Sequence, residues 1–281
     1  MKTTSAKKNK KTTILLFLVL FAGLSLLLYP SVSDYWNSFR QTRAIAAYIE
    51  NVAELDDDSY DELWREAQEY NISLSRSDSR FFPREEEEEV YKELLNVAGN
   101  GIMGYVEIPS IDVSLPVYHG TDDEILQVAV GHIEGSSLPV GGEGTHSVIS
   151  GHRGLPSAKL FTDLDQMTEG DVFMLHVLDE TLTYQVEQIH IVEPEDLSFL
   201  EIREGEDWCT LITCTPYGVN SHRLLVQGRR IENQGTASFG RVTADAVLMD
   251  RELVAVVLAI PVLIVLLLWV LFRPHKKESK R

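Results

Sequence analysis

The chain reads as a mainly β domain, a closed barrel or a sandwich, preceded by helices and carrying an apolar span near each end. Three observations carry that reading. Seven short segments rich in β-branched and aromatic residues crowd the stretch between Gly104 and Arg230. Apolar residues at one-face helical spacing mark residues 34 to 98. Two long apolar runs, Ile14 to Tyr29 and Leu253 to Phe272, each abut a cluster of basic residues.

The ends come first. Residues 1 to 12 hold five lysines and no acid, and residues 273 to 281 hold five basic residues and Glu278. The run from Leu253 is twenty residues without a charge, and a rise of about 1.5 Å per residue takes it across a hydrocarbon core of roughly 30 Å. The first run passes the same test or is a secretory signal, since Ser31-Val32-Ser33 offers small residues after a basic and apolar start. We read it as a retained anchor over 13–30. Lysine and arginine clusters stay cytoplasmic, so both termini are expected inside a bilayer and the middle outside. That middle, residues 13 to 272, holds 15 basic and 42 acidic side chains of the chain's 25 and 43. Such a charge repels phosphate backbones and excludes nucleic acid as a partner.

The organisation that follows is a helical region over 31–98, a β domain over 99–231, a linker over 232–252 and the second span over 253–272. In the helical region Ile45, Tyr48, Ile49 and Val52 share one face, and Ser59 with Glu62 makes a capping box before Leu63, Ala67 and Tyr70. A third helix is expected after Pro83, its five glutamates Glu85 to Glu89 forming a solvated first turn favoured by the helix dipole. The strands are expected at Tyr105–Ile108, Val113–Val117, Ser147–Ser150, Val172–Leu178, Leu182–Val192, Trp208–Thr213 and Arg223–Arg230, punctuated by Gly, Pro, Asp or Asn.

Chemistry concentrates between Thr210 and Val226, which reads as a strand, a loop opened by Pro216 and Gly218, and a second strand. Such a hairpin brings Arg223 back beside Cys214, and a guanidinium beside a thiol favours the nucleophilic thiolate. A disulfide with Cys209 does not fit. Five residues of one strand separate the two by about 16 Å, against about 5.5 Å between the Cα atoms of a bridge. Two lone cysteines also lack the paired spacing of a zinc site. Cys209, inside the strand, is a core residue, whereas Cys214 lies at its end beside the loop.

A cysteine nucleophile needs an imidazole to move protons. His152 in Ser150-Gly151-His152-Arg153-Gly154 has the most pointed context, at the exit of a strand and between two glycines that leave its ring uncovered. His222 is the rival, but side chains alternate along a strand, so His222 faces away if Arg223 faces Cys214.

The segments TLITCTPYGVNSHRLLV, SGHRG and GYVEIPSIDVSLPVYHG resemble the sortases of Gram-positive bacteria, and among these the pilin-polymerising class C enzymes. The resemblance covers about residues 90 to 230, and a second, C-terminal span is also similar to class C. It implies a closed eight-stranded β-barrel and a transpeptidase that cleaves an LPxTG-like sorting signal between Thr and Gly. Carried across, Cys214 is the nucleophile, His152 the general acid and base, and Arg223 the stabiliser of the oxyanion. The acyl-enzyme is then resolved by an amine, a lysine of the next pilin subunit, with no metal or organic cofactor. Class C members carry a lid with Asp-Pro-aromatic in the groove. Residues 77 to 83 read Ser-Asp-Ser-Arg-Phe-Phe-Pro, which departs from that triplet and leaves Asp78 and Phe81 as lid candidates, a surface loop being the plainer alternative.

Three other functions share some of these features. Attachment of proteins to a peptidoglycan precursor, as in the housekeeping sortases, and a hydrolytic cysteine peptidase both use the same site and differ in the acceptor. A wall-anchored surface protein would end in LPxTG, an apolar run and a basic tail, but no such motif precedes Leu253. Leu138-Pro139-Val140-Gly141-Gly142 lies mid-chain, where it makes a turn.

Overall fold

A computed structural model describes residues 10–77 and 79–233, which fall in two compact units, residues 10–31 and 32–233. The expected second span over 253–272, the linker from residue 234, the basic tails up to residue 9 and from 273, and Asp78 lie outside the described residues.

Three helices precede the barrel: α1 (Lys10–Ala53), α2 (Asp57–Leu74) and α3 (Glu85–Glu93). Among the described residues α1 is the one helix long and apolar enough to cross a membrane by length and composition. α2 starts earlier than its expected capping box. Asp56 is the N-cap, its carboxylate accepting from Ser59 N at 2.8 Å, and Ser59 already lies inside the helix. An aspartate two residues after Glu54 offers a charged acceptor to the positive helix end, which a hydroxyl three residues later does not match. α3 begins after Pro83 as expected, with Arg84 N donating to Glu87 at 2.9 Å.

Eight strands close into a barrel in the order β1-β2-β3-β4-β7-β8-β6-β5. They are β1 (Ile102–Ile108), β2 (Val113–His119), β3 (Val130–His132), β4 (Thr145–Ser150), β5 (Val172–Val177), β6 (Glu180–Val192), β7 (Asp207–Thr215) and β8 (His222–Arg230). Seven occupy the expected segments. The eighth, β3, has only three residues, too few for alternation to register in the sequence. It exists because it pairs on both sides, parallel to β2 and antiparallel to β4. Closure leaves no strand edge unpaired.

The barrel interior holds Val106, Leu115, Ile149, Phe173, Tyr184, Cys209, Leu211 and Val226 in one apolar cluster. Unit 32–233 fastens its helices to this barrel through buried polar side chains aimed at backbone. Tyr48 donates to Met103 O at 3.1 Å and accepts from Leu178 N at 2.7 Å. Asn71 of α2 clamps Leu138 from both sides, accepting from its N at 2.7 Å and donating to its O at 3.0 Å. Leu138 is fully buried, so the LPVGG segment is a core turn.

A second, smaller cluster lies on the outer face of β4, β7, β8 and β6: Val148, Val192, Ile212 and Leu225, joined by Leu200 from the β6–β7 loop. Alternation separates the two faces. On β7, Cys209 and Leu211 point inward and Ile212 outward; on β8, Leu224 and Val226 point inward and Leu225 outward.

Candidate active site

Cys214 is the next outward position after Ile212, and Arg223 the next after Leu225. The antiparallel register of β7 and β8 sets Cys214 directly opposite Arg223, so the expected hairpin contact is a cross-strand pair on the outer face. Cys214 is a free thiol and half-buried. The guanidinium of Arg223 donates to the backbone oxygens of Asn220 at 3.3 Å and His222 at 3.1 Å, which holds it at the strand's end beside the turn. Among the described residues it makes no ion pair.

His152 arrives from the other side of β7. β4 runs parallel to β7 with Ser150 paired to Ile212, so His152 and Cys214 each lie two residues past the last register pair. The loop is prevented from diverging by Gly151, which donates from N to Ile212 O at 3.0 Å and accepts at O from the Thr213 hydroxyl at 2.8 Å. A Cβ at Gly151 would sit 2.7 Å from the ring of Phe161 and 2.8 Å from Val130, so only glycine lets the loop lie this close. The cysteine thus stands between a histidine loop on one flank and an arginine strand on the other.

The six other histidines of the described residues are engaged. His119, His132 and His146 bond backbone or hydroxyl groups in the buried wall, His176 bonds Glu107, His190 bonds Gln188 and His222 bonds Glu193 at 3.2 Å. Burial pushes His132 and His146 down to about 4, which holds them neutral. His152 is the one described histidine whose imidazole makes no hydrogen bond within the protein. His222 faces away from Cys214, as alternation requires.

Cys209 is fully buried in the barrel interior, and burial pushes its thiol well above the ordinary cysteine range. The two thiols are both free, in keeping with their spacing on one strand.

Residues 79–82 form a turn against the outer-face cluster. Phe81 packs on the group that contains Ile212 and Leu225, and Phe82 stays largely exposed. Arg80 anchors the turn, donating to Leu200 O at 2.6 Å and Gly135 O at 3.3 Å with its guanidinium over the Phe81 ring. Gly135 makes room for it: a Cβ there would lie 2.2 Å from Arg80 O. Phe81 is therefore on the same face as Cys214, while its companion Asp78 lies outside the described residues. Sequence reasoning gave no role to Arg80, Arg153, Thr213 or Thr215. The alternation Thr-Cys-Thr was the available signal, since it puts a hydroxyl on the opposite face on each side of the thiol.

A family model for the sortase domain matches residues 106–231. The structure is similar to that of sortase C1 from Streptococcus agalactiae, 49% identical with a TM-score of 0.66 over 68% of this chain and 99% of that one. It is also similar to Clostridium perfringens sortase C with the C-terminal cell wall sorting motif, 42% identical with a TM-score of 0.61 over 68% of this chain and 99% of that one. Sortase D of Bacillus subtilis (strain 168) is 30% identical over 131 residues, or 46% of this chain, and the chain spans 63% of that relative's length. With an eight-stranded barrel, a cysteine opposite an arginine and a histidine loop beside them, the chain belongs to the sortase family of cysteine transpeptidases, and class C sortases are its structural neighbours.

Proposed function

We propose that the chain is a membrane-anchored transpeptidase that cleaves an LPxTG-like sorting signal and joins its threonine to an amine, a lysine of another pilin subunit. The observation that carries this reading is the pairing of Cys214 with Arg223 across β7 and β8, with the free imidazole of His152 on the opposite flank. The Cys214 thiolate attacks the threonine carbonyl, and Arg223 offsets the charge growing on the tetrahedral oxygen. The C–N bond to glycine breaks as His152 gives its proton to the leaving amine. His152 then takes a proton from the incoming lysine amine, which attacks the thioester and releases Cys214. None of these steps requires a metal or an organic cofactor.

The 77–83 loop acts as a lid in this reading. Its support is positional: Phe81 packs on the outer-face cluster that includes Ile212 and Leu225, one alternation from Cys214 and Arg223. The apolar start of α1 holds the enzyme in the bilayer, the second span over 253–272 crosses back, and both termini are cytoplasmic. The deciding experiment incubates the full chain in detergent with an LPxTG peptide, with and without pilin subunit, and identifies products by mass. Pilin–peptide conjugate supports the reading. Free peptide acid as the sole product, whatever the acceptor, makes the enzyme a hydrolase and overturns it.

A further inference from the structure

We propose that Arg153 is a positioning residue that clamps the His152 loop against the Cys214 strand, an inference that rests on the catalytic reading of those two residues. Among the described residues the His152 ring has no hydrogen-bond partner, so its placement must come from the backbone on either side. On one side Gly151 is tied to Ile212 and Thr213, the two residues before Cys214. On the other side the tie is made by the Arg153 side chain, and it reaches the residue after Cys214.

The Arg153 side chain is 9% exposed and joins three elements. One guanidinium nitrogen pairs with Asp165 in the β4–β5 connection, and the other lies 3.5 Å from the Thr215 hydroxyl on β7. Its Cζ lies over the Tyr217 ring of the β7–β8 loop, 5.8 Å from the ring centre. Gly154 closes against the same ring, where a Cβ would lie 3.0 Å away, and its N donates to the Thr162 hydroxyl at 3.2 Å. The histidine loop is thereby pinned to β7 immediately before and immediately after the thiol.

A merely stabilising role fits less well. The Nε of Arg153 is buried without a partner, a cost that an arginine at the surface avoids. Among the described residues its one ionic partner is Asp165, which is 44% exposed, so water screens the carboxylate side of the pair. What the arrangement does supply is direction: a planar fork spanning Asp165 and Thr215 fixes the loop where a flexible ammonium would not. Displacement of a catalytic group by about 1 Å costs roughly 100-fold in rate.

The test uses the full chain in detergent and a model sorting peptide. R153A is expected to lower kcat about 100-fold with KM within about twofold. Alkylation of Cys214 by iodoacetamide and the melting temperature should stay near those of the parent. R153K is expected to recover only part of kcat, and D165N to fall between R153K and the parent. Parent-like kcat in R153A, with H152A inactive, overturns the clamp and leaves the catalytic reading intact. Turnover in H152A overturns the catalytic reading, and the clamp with it. A fall in melting temperature and alkylation that parallels the loss of kcat makes Arg153 a folding residue and also overturns the clamp. Should R153A fail to fold, R153K and D165N decide: a kcat loss at unchanged melting temperature supports the clamp, and parent-like kcat in both overturns it.

Discussion

Two parts of the barrel wall carry the same residue types in opposite surroundings. In the body of the wall, Cys209, His132 and His146 are at or near complete burial and the two imidazoles are hydrogen-bonded, and burial drives each toward its neutral form. At the rim, Cys214 is half-buried and faces outward opposite a guanidinium, and His152 has an unengaged ring. The two cysteines lie five positions apart on one strand. The environment of a thiol here is a matter of which face and which end of a strand it occupies, since the residue itself is constant.

The sharpest break between the two parts is at the thiols. C214A should leave no acyl-enzyme detectable by mass after incubation with a sorting peptide, because the remaining thiol, Cys209, is fully buried. A surviving C214A acyl-enzyme would move the nucleophile elsewhere.

Next in size is the arginine. R223K keeps the charge at the rim but loses the fork of donors, and kcat should fall by roughly 100- to 1000-fold, the scale of losing an oxyanion donor. Near-parent single-turnover rates in R223K would mean that charge alone serves.

Acid should separate wall from rim by stability. His132 and His146 have folded values near 4, below the unfolded value of 6.5. The unfolded chain therefore binds protons first as the pH falls. Their contribution is full above about 6.5 and is lost between 6.5 and 4, by up to about 3 kcal/mol each. Denaturant midpoints of H146N measured at pH 7 and pH 5 should differ less than those of the parent; equal differences would refute the assignment for that residue.

Smaller still is C209A, which should retain turnover and cost roughly 1 kcal/mol of packing, read from the urea midpoint. Loss of acylation in C209A would show that the wall cysteine takes part in the chemistry. The smallest effect expected is at the lid: D78A with F81A should speed alkylation of Cys214 a few-fold by raising the open fraction. Unchanged labelling would mean that the turn guards nothing.

Local pattern was enough to read much of this molecule. The helices α1 to α3, seven strands and the hairpin that sets Cys214 against Arg223 follow from alternation, turn residues and apolar spacing, all of which act over a few neighbours. That His222 faces away from Cys214 and Arg223 also followed, since period-two alternation forbids adjacent residues from sharing a face. Tertiary structure decided what depends on distant partners. β3 is a strand because β2 and β4 flank it. Leu138 is buried because Asn71, 67 positions earlier, clamps its backbone. Phe81 rather than Phe82 reaches the outer-face cluster because Gly135 and Leu200 seat Arg80. The His152 loop is held to the Cys214 strand through the bonds of Gly151 to Ile212 and Thr213, some sixty residues away along the chain. Those contacts form between chain segments that no local period relates, so closure of the barrel had to bring them together.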